Sequence, residues 1–280
     1  MKLLPVIGFV SVTLTSSFVL ADNMSHSSDE NAVEKQRAML QKNTHNKGFG
    51  PQSPRDIDAV SGNNKRIFSA APDYTQMNLC NIHFHKSAEH KGGEFSKDAG
   101  NGTLVGFDYS GQLSQAEIAP ISQPVCQKGH SSLSPGDTIE VHYVHSSAQV
   151  KPGHTLKACL SESFINPQLR VETQVYVVVN DQQAGDFGKL TDFELKDGLY
   201  QSKNIPNDTG TPIEYAGSTT GPDYNEKASP IQVTWSVRPQ VAKVNIESVG
   251  NWCEGNEFKE DHAHGVRNLV INPDLLSVIE

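Results

Sequence analysis

The chain has 280 residues, 23 Lys+Arg against 32 Asp+Glu, a formal net charge of -9 and a sequence pI near 5.6. With 36% hydrophobic residues it can bury one large core, and its length suits one domain better than two. No basic stripe interrupts the acidic balance, so nucleic acid is excluded as an expected partner.

The first 21 residues read as a secretory signal. Lys2 gives a positive start, Leu3 to Val19 is uncharged, and Val19-Leu20-Ala21 makes an A-x-A-like cleavage site before Asp22. The stretch is short for a membrane span and is interrupted by Pro5, Thr13, Thr15, Ser16 and Ser17. Cleavage leaves 22 basic and 32 acidic residues, an exported chain with a net charge of -10 and no remaining membrane span. Periplasmic or extracellular residence follows from that reading.

Residues 22–47 are polar. Ser27 and Glu30 form a capping box, and Ala32, Val33, Met39 and Leu40 support one short helix ending near Gln41. Gly48, Gly50, Pro51 and Pro54 in GFGPQSPRDI stop it, and residues 48–280 are expected to form the main domain.

From Met77 onward the pattern predicts strands. MNLCNIHFH, TIEVHYVHSS, LRVETQVYVVVND, IQVTWSVRP and AKVNIES are rich in β-branched and aromatic residues. Clusters such as SPGD, NDQQAGD and NDTGTP separate them. Residues 91–136 read as a long polar, lightly structured insertion. The fold class is therefore mainly β with a minor α component.

Four cysteines, Cys80, Cys126, Cys159 and Cys253, fit no zinc ribbon and suggest two disulfides in an exported chain. Three connectivities exist. Cys126 and Cys159 flank the TIEVHYVHSS strand, which favours Cys126–Cys159 with Cys80–Cys253.

His83-Phe84-His85 carries the chemistry. On a strand, Asn81, His83 and His85 share one face, while Cys80, Ile82 and Phe84 share the other. Glu140, His142 and Val144 share a face on the next predicted strand. His83, His85 and His142 could hold one metal ion with a fourth position open, the layout of a catalytic rather than a structural zinc site. Asn81 and Glu140 are placed to accept the second ring N–H of such ligands. His145 should point away from the metal into the core. His262 and His264, in the acidic EDHAH, read as solvated.

These residues resemble the carbonic anhydrases. Asn81 to His90, N-x-H-x-H-K-x-A-E-H, resembles the delta class and is similar to the alpha-class Q-x-H-x-H followed by E-H. Glu140-Val141-His142-Tyr143-Val144-His145 is similar to the alpha-class E-x-H-x-V-H. Gln52-Ser53-Pro54-Arg55-Asp56-Ile57, Gly217-Ser218-Thr219-Thr220-Gly221-Pro222 and Val233-Thr234-Trp235 match further motifs in chain order. The chain departs from the alpha pattern in the roughly 50 residues between Glu89 and Glu140, in a threonine motif one residue shorter, and in its C-terminal EDHAHGVRNLVINPDLL.

The resemblance implies a twisted central β-sheet like that of the alpha class. It also implies one Zn2+ on His83, His85 and His142, and reversible hydration of CO2 to bicarbonate and a proton. Zinc on three imidazoles brings a bound water to a pKa of ~7. In the resembling families a threonine paired with a buried glutamate orients the nucleophile. Here those residues are Thr219 and Glu89, with Thr220 as the reserve. The resemblance leaves His90 either structural or a proton relay, and it makes Val144, with a valine from Val175–Val179, a candidate CO2 surface. No histidine lies between Gln52 and His83, where alpha-class enzymes place their proton shuttle.

Two other classes compete. His83, His85 and Glu89 also fit the cupin pattern H-x-H-x3-E, in which Glu89 is an additional ligand and iron or manganese is favoured. That reading leaves QSPRDI, STTGP and VTW without a role. A periplasmic metal carrier without turnover is the other, and the presence of both Thr219 and Glu89 weighs against it.

Overall fold

The computed structural model describes residues 35, 38–100, 106–128, 132–164, 166–219 and 228–280. The signal-like stretch, the Ser27–Glu30 box and Thr220 lie outside the described residues. Residues 38–44 are helical, and Leu40 from this helix packs with Val270, Leu275 and Leu276.

The five predicted strand segments all enter one mixed sheet. They are β1 (Asn78–Lys86), β4 (Thr138–Ser146), β5 (Leu169–Val179), β9 (Gln232–Val237) and β10 (Ala242–Asn245). β8 (Ile213–Ser218), whose sequence IEYAGS lacks alternation, completes it. The order is β1-β4-β5-β9-β8, with β10 also pairing β5. β1, β4 and β5 run antiparallel in sequence. β5 then splits its far edge: Arg170–Thr173 pair in parallel with β9, and Tyr176–Val179 pair in parallel with β10. β2 (Lys97–Asp98) with β3 (Phe107–Asp108), and β6 (Phe193–Lys196) with β7 (Leu199–Ser202), form two small antiparallel ladders.

Every residue of β4 and β5 is buried, so the sheet is covered on both faces. On one face Ile82, Phe84, Val141, Tyr143 and Val178 pack against Val249 and Trp252 of the helix Ile246–Glu254. That helix starts inside the segment AKVNIES because Asn245 caps it, its side chain accepting the Ser248 N–H. On the other face Val144, Val171, Val175, Tyr215 and Trp235 form a second core. Alternation along β4 sends Val141 and Tyr143 to the first core, and Glu140, His142 and Val144 to the second.

The disulfides are Cys80–Cys159 and Cys126–Cys253, correcting the expected pairing. The register of β1 on β4 shifts between Leu79 and Asn81. This bulge takes Cys80 off the Ile82–Phe84 face and into the second core, where Cys159 lies. Cys126 and Cys253 meet on the helix side. Cys126 and Cys159 flank β4 in sequence but lie on opposite faces of the sheet.

Two segments outside the sheet reach the second face. Gln52-Ser53-Pro54-Arg55 is buried behind β8, and the Ser53 N–H donates to Ser218 Oγ at 3.2 Å. Gly217 permits this approach, since a Cβ there would stand 1.9 Å from Ser53 Oγ. Arg55 lies over the Tyr215 ring, 5.4 Å from its centre, and donates to Ser277 O at 2.5 Å, which ties down the C-terminal segment. That segment also covers the free edge of β1. His264 N–H donates to Phe84 O and Lys86 N–H donates to His264 O, both at 2.9 Å.

Candidate metal centre

β1 and β4 place His83 directly opposite His142, and His85 opposite Glu140. The imidazoles of His83, His85 and His142 converge, with ring centres 4.8–5.3 Å apart. One nitrogen of each lies within 4.8 Å of the other two.

Each ring is held from behind. His83 Nδ1 lies 2.6 Å from Asn81 Oδ1, and the Asn81 amide is fixed because its Nδ2 donates to Gly153 O at 3.0 Å. His85 Nδ1 donates to Gly265 O at 2.9 Å. His142 Nε2 donates to Glu140 Oε1 at 2.6 Å. These acceptors fix the protons on the outer nitrogens. His83 Nε2, His85 Nε2 and His142 Nδ1 are then left with lone pairs free to bind a metal. His142 Nδ1 and His83 Nε2 stand 3.2 Å apart with no proton to share, an arrangement that a cation between them relieves. Three imidazoles are a donor set that fits a single zinc ion. Glu89 is not among the converging atoms, so the cupin ligand set is not formed among the described residues.

Burial keeps His83 and His85 neutral. It pushes His83 well below the usual histidine range, helped by the neighbouring rings, and holds His85 at about 4 against the raising influence of Glu89. Burial tends to raise Glu140, but His90 and His142 outweigh it and hold its carboxyl well below the usual range. Unfolded histidines take up protons near pH 6.5 that native His83 and His85 refuse, so stability is present above that pH and is lost as pH falls toward 4. At about 1.4 kcal/mol per pH unit between the two values, His85 alone accounts for on the order of 3 kcal/mol. The expected result is a progressive fall in melting temperature of the chelator-treated chain between pH 7 and pH 4.5. Thermal melts that stay flat over that range would contradict it.

Glu140 is a hub. It accepts the His90 N–H on Oε2 at 3.0 Å and the His90 Nδ1–H on Oε1 at 2.7 Å, while His90 Nε2 lies 2.7 Å from Tyr215 Oη. His90 is fully buried with both nitrogens engaged. Trp235 closes this wall, its ring centre 4.9 Å from His90 and 5.1 Å from His142. Val144 is buried two residues beyond His142. It pairs with Val171, which pairs with Trp235, giving an apolar row beside the histidines. Val175 belongs to the same core.

Glu89 is wholly buried and faces Arg267. Its Oε1 accepts the Arg267 main-chain N–H at 2.8 Å, and its Oε2 accepts Nη2–H at 2.9 Å. Burial favours the neutral acid, but Arg267 outweighs it and holds the Glu89 carboxyl at about 2. Thr219 follows β8, is buried, and donates its main-chain N–H to Ile231 O at 2.9 Å. Among the described residues no hydrogen bond joins the Thr219 hydroxyl to Glu89.

His145 lies on the other face, donating Nδ1–H to Tyr143 O at 3.0 Å, with burial lowering its pKa to about 3. His264 keeps a side chain 39% exposed, in keeping with the solvated reading, although its ring stands beside the cluster. Its ring centre is 5.6 Å from that of His83 and 5.8 Å from that of His85. Its Nε2 is 2.6 Å from Glu260 Oε2, a contact that raises its pKa. The segment that carries it lies along the edge of β1. Tyr215, Gly265 and Arg267 were not foreseen. Tyr215 sits in a strand without alternation, and the other two sit in an irregular segment with no periodic signal.

Residues 74–248 match the family model described as Delta carbonic anhydrase. The chain belongs to the delta carbonic anhydrase family. Its sequence resemblance and its family membership agree, and the chain is a carbonic anhydrase by family. No curated protein matches it. Among solved structures it is similar to a hyperthermostable carbonic anhydrase identified from an active hydrothermal vent chimney. That similarity is at 13% identity and TM-score 0.28, covering 78% of this chain and 83% of that one. A halotolerant carbonic anhydrase from Dunaliella salina is similar at 14% identity and TM-score 0.29, covering 77% and 84%. Photobacterium profundum alpha-carbonic anhydrase is similar at 12% identity and TM-score 0.26, covering 84% and 92%. Superposition is poor at such scores, so membership rests on the family model. Two segments beyond the matched residues, Gln52–Ile57 and Glu260–Arg267, pack onto the delta carbonic anhydrase site.

Proposed function

We propose that the chain catalyses the reversible hydration of CO2 to bicarbonate and a proton, with one zinc held by His83 Nε2, His85 Nε2 and His142 Nδ1. The observation that carries this reading is the convergence of three lone pairs, each set by an outer acceptor, in a member of the delta carbonic anhydrase family. Zinc on three neutral imidazoles supplies a water acidic enough to serve as a hydroxide nucleophile near neutral pH.

The protein's own groups do the rest. Asn81, Gly265 and Glu140 orient the three rings and raise their basicity. His90 and Tyr215 hold Glu140 in place, and a buried His90 with both nitrogens engaged acts as a support rather than a route to solvent. Val144 and Val171 form the apolar surface on which a small nonpolar gas rests beside the histidines. Thr219 and Glu89 orient the nucleophile. That assignment rests on the family motif. A carboxylate offers about four acceptor sites, and Arg267 fills most of those of Glu89 through three donor groups.

Among the described residues no helix is long and apolar enough to cross a membrane. Export is part of the proposal, supported by the signal-like first 21 residues and the two disulfides.

Metal analysis of the purified protein tests the ligand set. One zinc per chain is expected, removed by chelator and restored by zinc alone. A chain that takes up no zinc, or one that prefers iron or manganese over zinc at equal concentration, would contradict it.

A further inference from the structure

Two of the three acceptors behind the histidines ride on the ligand strands themselves. Asn81 is part of β1 and Glu140 is part of β4, and each is anchored in turn, Asn81 by Gly153 O and Glu140 by His90. The third is different. Gly265 O belongs to an irregular segment and to a residue with no side chain. Its position depends on its neighbours. On one side His264 makes a single bridge to β1. On the other side stands Arg267, buried, over the Trp235 ring at 5.6 Å. Its main-chain N–H, Nε and Nη2 all donate to Glu89, and its Nη1 donates to Ser53 O at 3.4 Å.

Glu89 follows His85 by four residues, and its Oε1 lies 3.6 Å from His85 Nδ1. The pair therefore fastens the segment to the chain at the very ring that Gly265 serves. We propose that Arg267 is a positioning residue for His85: by clamping residues 264–267 onto Glu89 it holds the Gly265 carbonyl where it accepts the His85 Nδ1–H. A Lys at this position keeps the charge but loses the fork that reaches both Glu89 oxygens and Ser53.

This inference rests on the zinc reading for one arm of its test. Arg267→Met and Arg267→Lys are compared with the parent by zinc affinity, using competition with a chromogenic chelator, and by the proton NMR signals of the imidazole N–H groups. Loss of an outer support to a metal-bound histidine costs about 10–100-fold in metal affinity. That loss is expected for Arg267→Met, with a smaller one for Arg267→Lys. The His85 Nδ1–H signal moves or exchanges away, while the N–H signals of His83 and His142, held by Asn81 and Glu140, stay in place.

Zinc affinity within about twofold of the parent with all three signals unmoved overturns the proposal. So does simultaneous loss of all three signals, because that would make Arg267 a support of the whole fold. If Arg267→Met does not fold, Arg267→Lys decides by the same criteria. If the parent binds no zinc, the proposed function fails, and the His85 signal in the metal-free chain still decides the role of Arg267.

Discussion

Replacing His142 with Ala is expected to remove most of the bound zinc and nearly all CO2 hydration. His142 is the ligand supplied by β4, and its Nδ1 is the lone pair nearest to His83 Nε2, at 3.2 Å. Two imidazoles from one strand leave the ion with too few protein ligands for a catalytic site. The substitution also takes one donor from Glu140, but that carboxylate keeps both bonds from His90 and stays satisfied. The fold should therefore survive, and the loss can be read as a loss of metal. Metal analysis and stopped-flow hydration on a variant with parental circular dichroism check this. Stoichiometric zinc in His142→Ala would point to another third ligand. His264, whose ring is 5.6 Å from His83, is then the first to examine, since His145 lies on the other face of the sheet.

Thr219→Ala is expected to separate holding the metal from using it. No converging lone pair comes from Thr219, so zinc content should match the parent. Removing one positioned hydrogen bond in an active site typically costs about 10²–10³ in rate, so kcat/KM should fall by roughly two orders of magnitude. The Arg267 donors already on Glu89 make this a demanding test, because the Thr219 hydroxyl must share that carboxylate with them. Thr220→Ala is the control for the shorter threonine motif. Parental rates in both variants would remove the nucleophile-orienting role from this segment. Loss of zinc in both would make the segment a support of the ligands instead.

The parts of the site that could be read in the sequence are those that obey a period of two. His83 and His85 share a face because one residue separates them, and the antiparallel register then sets His142 across from His83. Asn81 and Glu140 come with them for the same reason, each two residues from a histidine. The five strands were legible as well, since β-branched and aromatic residues fill them and Gly, Pro, Asn and Asp clusters separate them. Where the chain leaves that period, the reading failed. A bulge at Cys80 turned its side chain to the other face and with it changed the disulfide pairing. Gly265 and Arg267 act from an irregular segment, and Gly265 contributes only a carbonyl, which every residue type possesses. Tyr215 sits in IEYAGS, a strand whose small residues serve the close approach of Ser53 rather than an alternating pattern.

The central claim is that this chain hydrates CO2 through a zinc held on His83, His85 and His142. Stopped-flow measurement of CO2 hydration by the purified protein, before chelation, after chelation and after return of zinc alone, tests it most directly. The account predicts hydration well above the uncatalysed rate, abolished by the chelator and recovered with about one zinc per chain. Hydration at the uncatalysed rate by a chain carrying its full zinc, or activity that survives complete removal of the metal, would contradict it.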